Sequence, residues 1–279
     1  MAMKFLQTPL LCAATAGLAA FVVISNFGRT NSTGAPREPG SAPRLVVVEL
    51  FTSEGCSSCP PADALLKQLS ERQSVQGAQI IALEEHVDYW NHLGWQDPYS
   101  SIEFTQRQSD YAQVFGTDGV YTPQMVVDGQ REFVGSRSLA AKEAIEKAAN
   151  QPKVEMILVA GANSSPEKSI FEVQVKSLDG ILPHGEMELW SAVTEKGLQT
   201  DVKAGENSGE TLTHAPVARR LRKIDTLRDP AGYNRQIQVA IEPGWKKENL
   251  AVVVFLAEKS SHKIVGAAAS SLDPERASR

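Results

Sequence analysis

Cysteine is scarce in this chain: three in 279 residues, too few to frame a small disulfide-stapled fold. Excess basic charge is missing as well. Lys and Arg total 28 against 33 Asp and Glu, a formal net charge of −5, which argues against a nucleic-acid binder relying on a whole-protein basic field. Beyond the extreme N-terminus there is no run of 18 or more apolar residues, which excludes a polytopic bundle of membrane-spanning helices. A phosphate-binding glycine loop, a Ser-His-Asp order and paired Cys-x-x-Cys motifs are also missing. What is present is ordinary globular composition, 42% hydrophobic and 22% charged. Neither disorder throughout nor a collagen-like chain fits that composition. The length allows one large domain or two ordinary ones.

Residues 1–27 carry Lys4 and then an apolar run from Leu10 to Ile24, the pattern of a signal peptide or a short N-terminal anchor. Fifteen residues rise only about 22 Å as a helix, short of a hydrocarbon core of roughly 30 Å. That favours a signal peptide, with Val23 and Ser25 offering a cleavage point. Cys12 reads as an apolar filler of this run. Residues 28–43, rich in Gly, Pro, Ser and Thr, read as a flexible linker. The expected location is therefore exported, periplasmic or secreted, with membrane contact only if the N-terminal segment stays uncleaved. Cys56 and Cys59 then face an oxidising environment.

From Arg44 to Asn150 strand-like and helix-like segments alternate. LVVVELF (45–51) reads as a buried strand, and Leu65, Leu66 and Leu69 fall at helical spacing within 57–72. Pro60 and Pro61 suit a first helical turn. IIALEEHV (80–87) is a second strand, and 102–115 a helix stopped by Gly116. QMVV (124–127) and REFV (131–134) flank Asp128-Gly129, a two-residue turn signal for a hairpin. Ser138 is expected to cap a helix through Ala149. The order is βαβαββα. From Lys153 onward, segments such as IFEVQVKSL and RQIQVAIE alternate apolar and polar residues, as strands with one solvated face do. Six or seven short strands over about 120 residues suggest a β-sandwich. The basic stretch Arg219, Arg220, Arg222 and Lys223 reads as the solvated side of a strand.

The chemistry concentrates in ELFTSEGCSSCPPADALL (49–66), which sets Cys-x-x-Cys after a strand and at the opening turn of a helix. Free N–H groups and the dipole at a helix N-terminus favour thiolate over thiol. Cys56, the outer cysteine, is therefore the expected nucleophile and Cys59 the resolving thiol. A bridge closing four residues constrains little chain, so a purely structural staple is the weaker reading. Thr122-Pro123 immediately precedes the first hairpin strand. The bond is expected to be cis, with its extended backbone beside the cysteines; a trans Pro opening an edge strand is the plain alternative.

These features resemble the thioredoxin superfamily over residues 44–150. More closely, VVELFTSEGCSSCPPADALL, HVDYWNHLGWQDPYSS and YTPQMVVDGQREFVGS resemble the secreted proteins grouped as domain of unknown function 1223. The resemblance implies an α/β thioredoxin-like domain (βαβαββα) over 44–150 followed by an all-β, sandwich-like domain over 151–272, with 273–279 a C-terminal tail. The chain departs from ordinary thioredoxins in having Gly55 where they carry Trp, and Ser57-Ser58 between the cysteines. Glu49 stands near the position where thioredoxins bury a proton-relaying carboxylate. It reads either as a general base or as a strand glutamate in a salt bridge.

Leading into HVDYWNHLGW (86–95), Glu84, His86 and Asp88 share one strand face, at the sheet edge where open α/β sheets place their sites. His86, Asp88 and Trp90, with Thr122, are candidate substrate-contacting residues; a packed aromatic loop is the bland alternative. The expected function is an exported thiol–disulfide oxidoreductase whose partners are protein dithiols or disulfides. It needs no dissociable cofactor and no metal, because electrons pass through other dithiols. Two competitors stay open. One is a soft-metal carrier, copper above all, using Cys56, Cys59 and His86; the other is a non-catalytic thioredoxin-like interaction module.

Overall fold

Val46, Val47 and Val48 place β-branched side chains on successive positions, a pattern that suits a strand covered on both faces. The computed structural model, which describes residues 43–161, 165, 167–176 and 185–272, bears this out. β1 (Arg44–Thr52) runs through the middle of the sheet, buried from Val46 to Thr52. Its parallel neighbour is β2 (Ala78–His86), in register Arg44 to Ala78 through Thr52 to His86. On its other side lies the antiparallel β3 (Gln124–Val127), which pairs in turn with β4 (Arg131–Val134). Three helices follow the expected order: α1 (Pro60–Arg72), α2 (Ile102–Phe115) and α3 (Ser138–Ala149).

Alternation along β1 divides two cores. Val46, Val48 and Leu50 meet Leu66 of α1, Met125 of β3 and Ile145 of α3. Val47 and Phe51 face the other way, into the clusters holding Phe104 and Tyr111 of α2. Local details differ from expectation in two places. The hairpin between β3 and β4 has three connecting residues rather than two, with Val127 opposite Arg131. Asp128 and Gly129 both take positive φ there. Asp128 is pulled inward: its Oδ1 accepts from the Val47 N–H at 3.0 Å and its Oδ2 from Lys153 Nζ at 2.5 Å. At α3, Ser138 is the first helical residue and Arg137 holds the cap position, with no side-chain cap bond.

The second half contributes β5 (Met156–Ala160), β6 (Lys168–Val175), β7 (Met187–Glu195), the short β8 (Gln199–Asp201) and β9 (Thr211–Thr213), β10 (Val217–Leu227), β11 (Asn234–Ala240), β12 (Leu250–Glu258) and β13 (Ile264–Ser271). Four of these do not form a sheet of their own. They extend the first sheet, so that among the described residues one eight-stranded sheet runs β13-β12-β7-β10-β2-β1-β3-β4. A three-stranded sheet, β11-β6-β5, stands apart from it. Phe171, Val173, Ile237 and Val239 of that smaller sheet share a buried cluster with Leu189, Val252 and Val254 of the larger one. The boundary near residue 150 is thus no break in the sheet, and the described residues fall within a single unit.

Within the eight-stranded sheet the join between the halves is one residue pair. β10 meets β2 at one parallel pair, Val217 with Glu84, and the Glu84 N–H donates to the Pro216 carbonyl at 3.0 Å. Among the described residues no helix is long and apolar enough to cross a membrane. The leader at 1–27, the linker up to residue 42 and the tail at 273–279 lie outside the described residues.

Candidate active site

After β1 the chain turns twice before α1. The Cys56 N–H donates to the Ser53 carbonyl, and the Cys59 N–H to the Cys56 carbonyl, each at 3.1 Å. Cys59 takes the cap position of α1, with Pro60 and Pro61 in the first turn. Cys56 and Cys59 are joined as a disulfide. Ser57 and Ser58 between them are exposed, yet both cysteines are 0% exposed.

Two other loops close on this turn. The Thr122-Pro123 bond is cis. Trp90 joins it to the cysteine loop: its Nε1 donates to Thr122 Oγ1 at 2.8 Å, while its Cβ lies 3.4 Å from where a Cβ on Gly55 would stand. Gly135 lets the Pro123 segment approach α1. A Cβ there would lie 2.7 Å from Leu50 Cδ1 and 3.0 Å from Ala62 Cβ, with Pro123 Cβ at 3.3 Å. Cys56, Cys59, Trp90, Thr122 and Pro123 are therefore brought to one end of the sheet.

Other expected residues are placed differently. Glu49 is buried with both oxygens engaged: Arg107 Nε donates to Oε1, and the Tyr111 hydroxyl donates to Oε2 at 2.6 Å. Burial works to lower the Arg107 guanidinium, but the charge and hydrogen bond of Glu49, with Tyr111 and Glu85, together raise it above its ordinary value. Asp88 braces α2, its Oδ1 accepting from Thr105 Oγ1 at 2.5 Å. His86 points its two ring nitrogens at Asp97 and Glu84.

His86 belongs to a circuit that the sequence did not disclose. His86 Nδ1 lies 2.7 Å from Asp97 Oδ2 and Nε2 3.1 Å from Glu84 Oε1. The same Glu84 oxygen is 2.8 Å from His214 Nδ1, and His214 Nε2 is 3.1 Å from Glu54 Oε1. The circuit closes where the Glu54 N–H donates to Asp97 Oδ2 at 2.8 Å. All five residues are buried, and Tyr99 packs edge-on against both imidazoles. Burial alone would lower both histidines. For His86, Asp97 and then Glu84 raise it well above its ordinary value; for His214, hydrogen bonds to Glu54 and Glu84 push it up to about 9. Burial works to raise Glu84, but the His214 and His86 bonds outweigh it and hold the group low.

Two more residues complete the surroundings. Asp63, one turn into α1 after Cys59, is pushed up to about 8, first by burial and then by the charge of Glu84; Thr52 Oγ1 donates to its Oδ1 at 2.7 Å. From the second half, the segment between β8 and β9 lies across the cysteine turn. Glu206 Oε2 accepts from the Ser57 N–H at 2.9 Å, and Asn207 Nδ2 donates to the carbonyls of Glu54 and Cys56.

Residues 47–257 match the family described as protein of unknown function (DUF1223). The chain belongs to that family. The matched span runs from β1 to β12 and holds every residue named at this site. No curated protein sequence matches the chain. Among solved structures it is similar to protein AGR_C_4864 from Agrobacterium tumefaciens, with 26% identity and a TM-score of 0.58, covering 82% of this chain and 94% of that one. It is also similar in fold to HBP35 of Porphyromonas gingivalis, with 18% identity and a TM-score of 0.58, covering 84% of this chain and 77% of that one.

Proposed function

We propose that the protein is an exported thiol–disulfide oxidoreductase built on a thioredoxin-like first half, exchanging disulfides with protein partners through Cys56 and Cys59. One observation carries the reading. The cysteine pair sits at the mouth of a helix following a central strand, with Trp90 tying the cis Thr122-Pro123 loop beside it. A strand, a Cys-x-x-Cys turn, a helix and a facing proline loop form a unit suited to receiving an extended chain next to a reactive sulfur. The N-terminal sequence supports an exported location, where a disulfide persists.

In the oxidised form a partner thiolate attacks the Cys56 sulfur. The Cys56–Cys59 bond breaks, a mixed disulfide forms, and Cys59 leaves as a thiolate that takes up a proton. A second partner thiolate then attacks the partner's own sulfur in the mixed disulfide and releases Cys56. The partner has lost two electrons as its disulfide forms, and the two cysteines have gained them. Every step runs equally in reverse. The helix N-terminus stabilises the thiolate on Cys56. Asp63 is the carboxyl best placed to exchange a proton with Cys59: residues i and i+4 share a helix face, and a group near 8 changes state close to neutral pH.

The test is covalent trapping. Cys59→Ser protein should accumulate mixed disulfides on Cys56, seen on non-reducing gels of the native compartment, while Cys56→Ser should trap nothing. Equal trapping by both variants, or none by either, would remove the mechanism. An insulin-reduction or dithiol-oxidation assay then separates turnover from a binding module that has lost it.

A further inference from the structure

Glu84 and His86 come from one strand and His214 from a distant loop, yet each offers one ligand atom and the three atoms lie within 4.8 Å of one another. One carboxylate oxygen of Glu84 faces two imidazole nitrogens at once, His214 Nδ1 at 2.8 Å and His86 Nε2 at 3.1 Å. The far nitrogen of each ring is held by a separate acidic side chain, Asp97 for His86 and Glu54 for His214. The second oxygen of Glu84 is fixed by the Ala215 N–H. Each of these side chains is at most 3% exposed.

This is the arrangement of a ligand set with its supporting shell. A metal-bound histidine characteristically donates its other ring N–H to a carboxylate, which fixes the tautomer and aims the free lone pair. Here both rings are aimed that way at the same point. Each ring stands between two carboxylates and presents one N–H proton to that single Glu84 oxygen, which accepts both. A divalent cation bound there displaces those two protons and leaves the net charge of the cluster unchanged. Two imidazoles and a carboxylate suit first-row divalent ions rather than Mg²⁺, Ca²⁺ or the copper(I) that thiolates favour. Three protein ligands leave a coordination position open. His214 and Ala215 also line a pocket of about 470 Å³ together with Lys67, Glu71, Lys196 and Asn249.

We propose that Glu84, His86 and His214 form a metal centre for one divalent first-row transition ion of the zinc class, distinct from the cysteine pair. The two halves of the chain meet at this point, so the ion also ties them together: Glu84 and His86 are on β2, and His214 precedes β10 at the single pair that joins the sheet. The cysteines take no part, and the centre stands whether or not they exchange disulfides.

The experiment uses the full chain with its disulfide closed, stripped with a chelator and dialysed against Zn²⁺ and, in parallel, Co²⁺. One Zn²⁺ per chain is expected by metal analysis and calorimetry, with a rise in Tm on binding. Co²⁺ should give weak visible d–d bands without a thiolate charge-transfer band, unchanged when the protein is reduced or carries Cys56→Ser and Cys59→Ser together. His214→Gln and Glu84→Gln should each abolish stoichiometric binding, and Glu54→Gln should weaken it about 10- to 100-fold. Folded wild-type protein that takes up no Zn²⁺ would overturn the proposal without need of any variant. So would binding that requires reduction and shows the thiolate band, or unchanged stoichiometry in folded His214→Gln protein.

Discussion

Asn207 holds the cysteine turn from the far half of the chain: its side-chain amide donates to the Cys56 carbonyl at 3.0 Å and to the Glu54 carbonyl at 2.8 Å. The residues it bridges are 151 and 153 positions away in sequence. The β-rich half therefore supplies part of the wall around the buried disulfide.

Asn207→Ala leaves both buried carbonyls without this donor, at a cost of about 1–3 kcal/mol. In reduced protein the alkylation rate of Cys56 should rise several-fold as the covering loop loosens. Urea unfolding and timed labelling check the two effects together; unchanged labelling would mean that the loop does not limit access.

Reduced wild-type protein should react with iodoacetamide at Cys56 before Cys59 at pH 6–7. Cys56 lies outside the helix mouth, where the free N–H groups favour thiolate, whereas Cys59 is at the cap itself. Peptide mapping after brief labelling gives the order, and a reversed order would exchange the two roles.

Trp90→Phe keeps the Cβ that stands against Gly55 and removes the bond from Nε1 to Thr122. A stability loss of about 1 kcal/mol is expected. Exchange with a protein disulfide should slow several-fold, while reaction with a small alkylating agent changes little. Equal slowing of both reactions would place Trp90 in thiol chemistry rather than partner contact.

Glu49→Gln breaks the buried pair with Arg107, leaving Glu85 as its remaining acidic neighbour, and breaking a buried pair costs up to about 3–5 kcal/mol. Chemical denaturation should show that loss. Exchange per folded molecule should stay near wild type, because both Glu49 oxygens are committed to Arg107 and Tyr111. A large fall in exchange by folded Glu49→Gln protein would restore Glu49 as the proton carrier.

Asp63 gives stability a pH dependence. Thr52, Glu84, His86 and His214 surround it electrostatically, and burial together with Glu84 raises it from an ordinary 3.8 to about 8. The native state then holds a proton that the unfolded chain has released. The contribution is complete below about pH 4 and is lost as pH rises towards 8, with a slope of at most about 1.4 kcal/mol per pH unit. Asp63→Asn keeps an oxygen for Thr52 to donate to and cannot ionise. Its stability relative to wild type should increase steadily between pH 5 and pH 8, as measured by denaturation at each pH in chelator-treated protein. A difference that does not vary with pH would mean that Asp63 is ionised in the native state.

Local pattern was enough for some of this molecule. The apolar run at 45–51, the helix at 102–115 closed by Gly116, and the strands at 124–127 and 131–134 were legible because period, caps and turn residues act over a few positions. The Cys-x-x-Cys turn at a helix mouth was legible for the same reason. β10 was legible only in part, as the solvated side of a strand at the basic stretch 219–223; its extent and partners were not. Its sequence, VARRLRKIDTL, loses the alternation of a strand because register shifts between Ala218 and Arg220, and between Lys223 and Asp225, move side chains out of phase. Without the partners of β10 the joining of the halves into one sheet could not be seen. The buried circuit was hidden for a related reason: His214 lies 130 positions from Glu84, and a histidine in an unremarkable stretch gives no local sign of what it will face. Sequence by itself determined most of the elements and the position of the cysteine pair, since those depend on neighbours along the chain. Tertiary structure alone decided which carboxyls meet which imidazoles, because the Val217–Glu84 pairing brings distant segments out of water together, where charges must find partners.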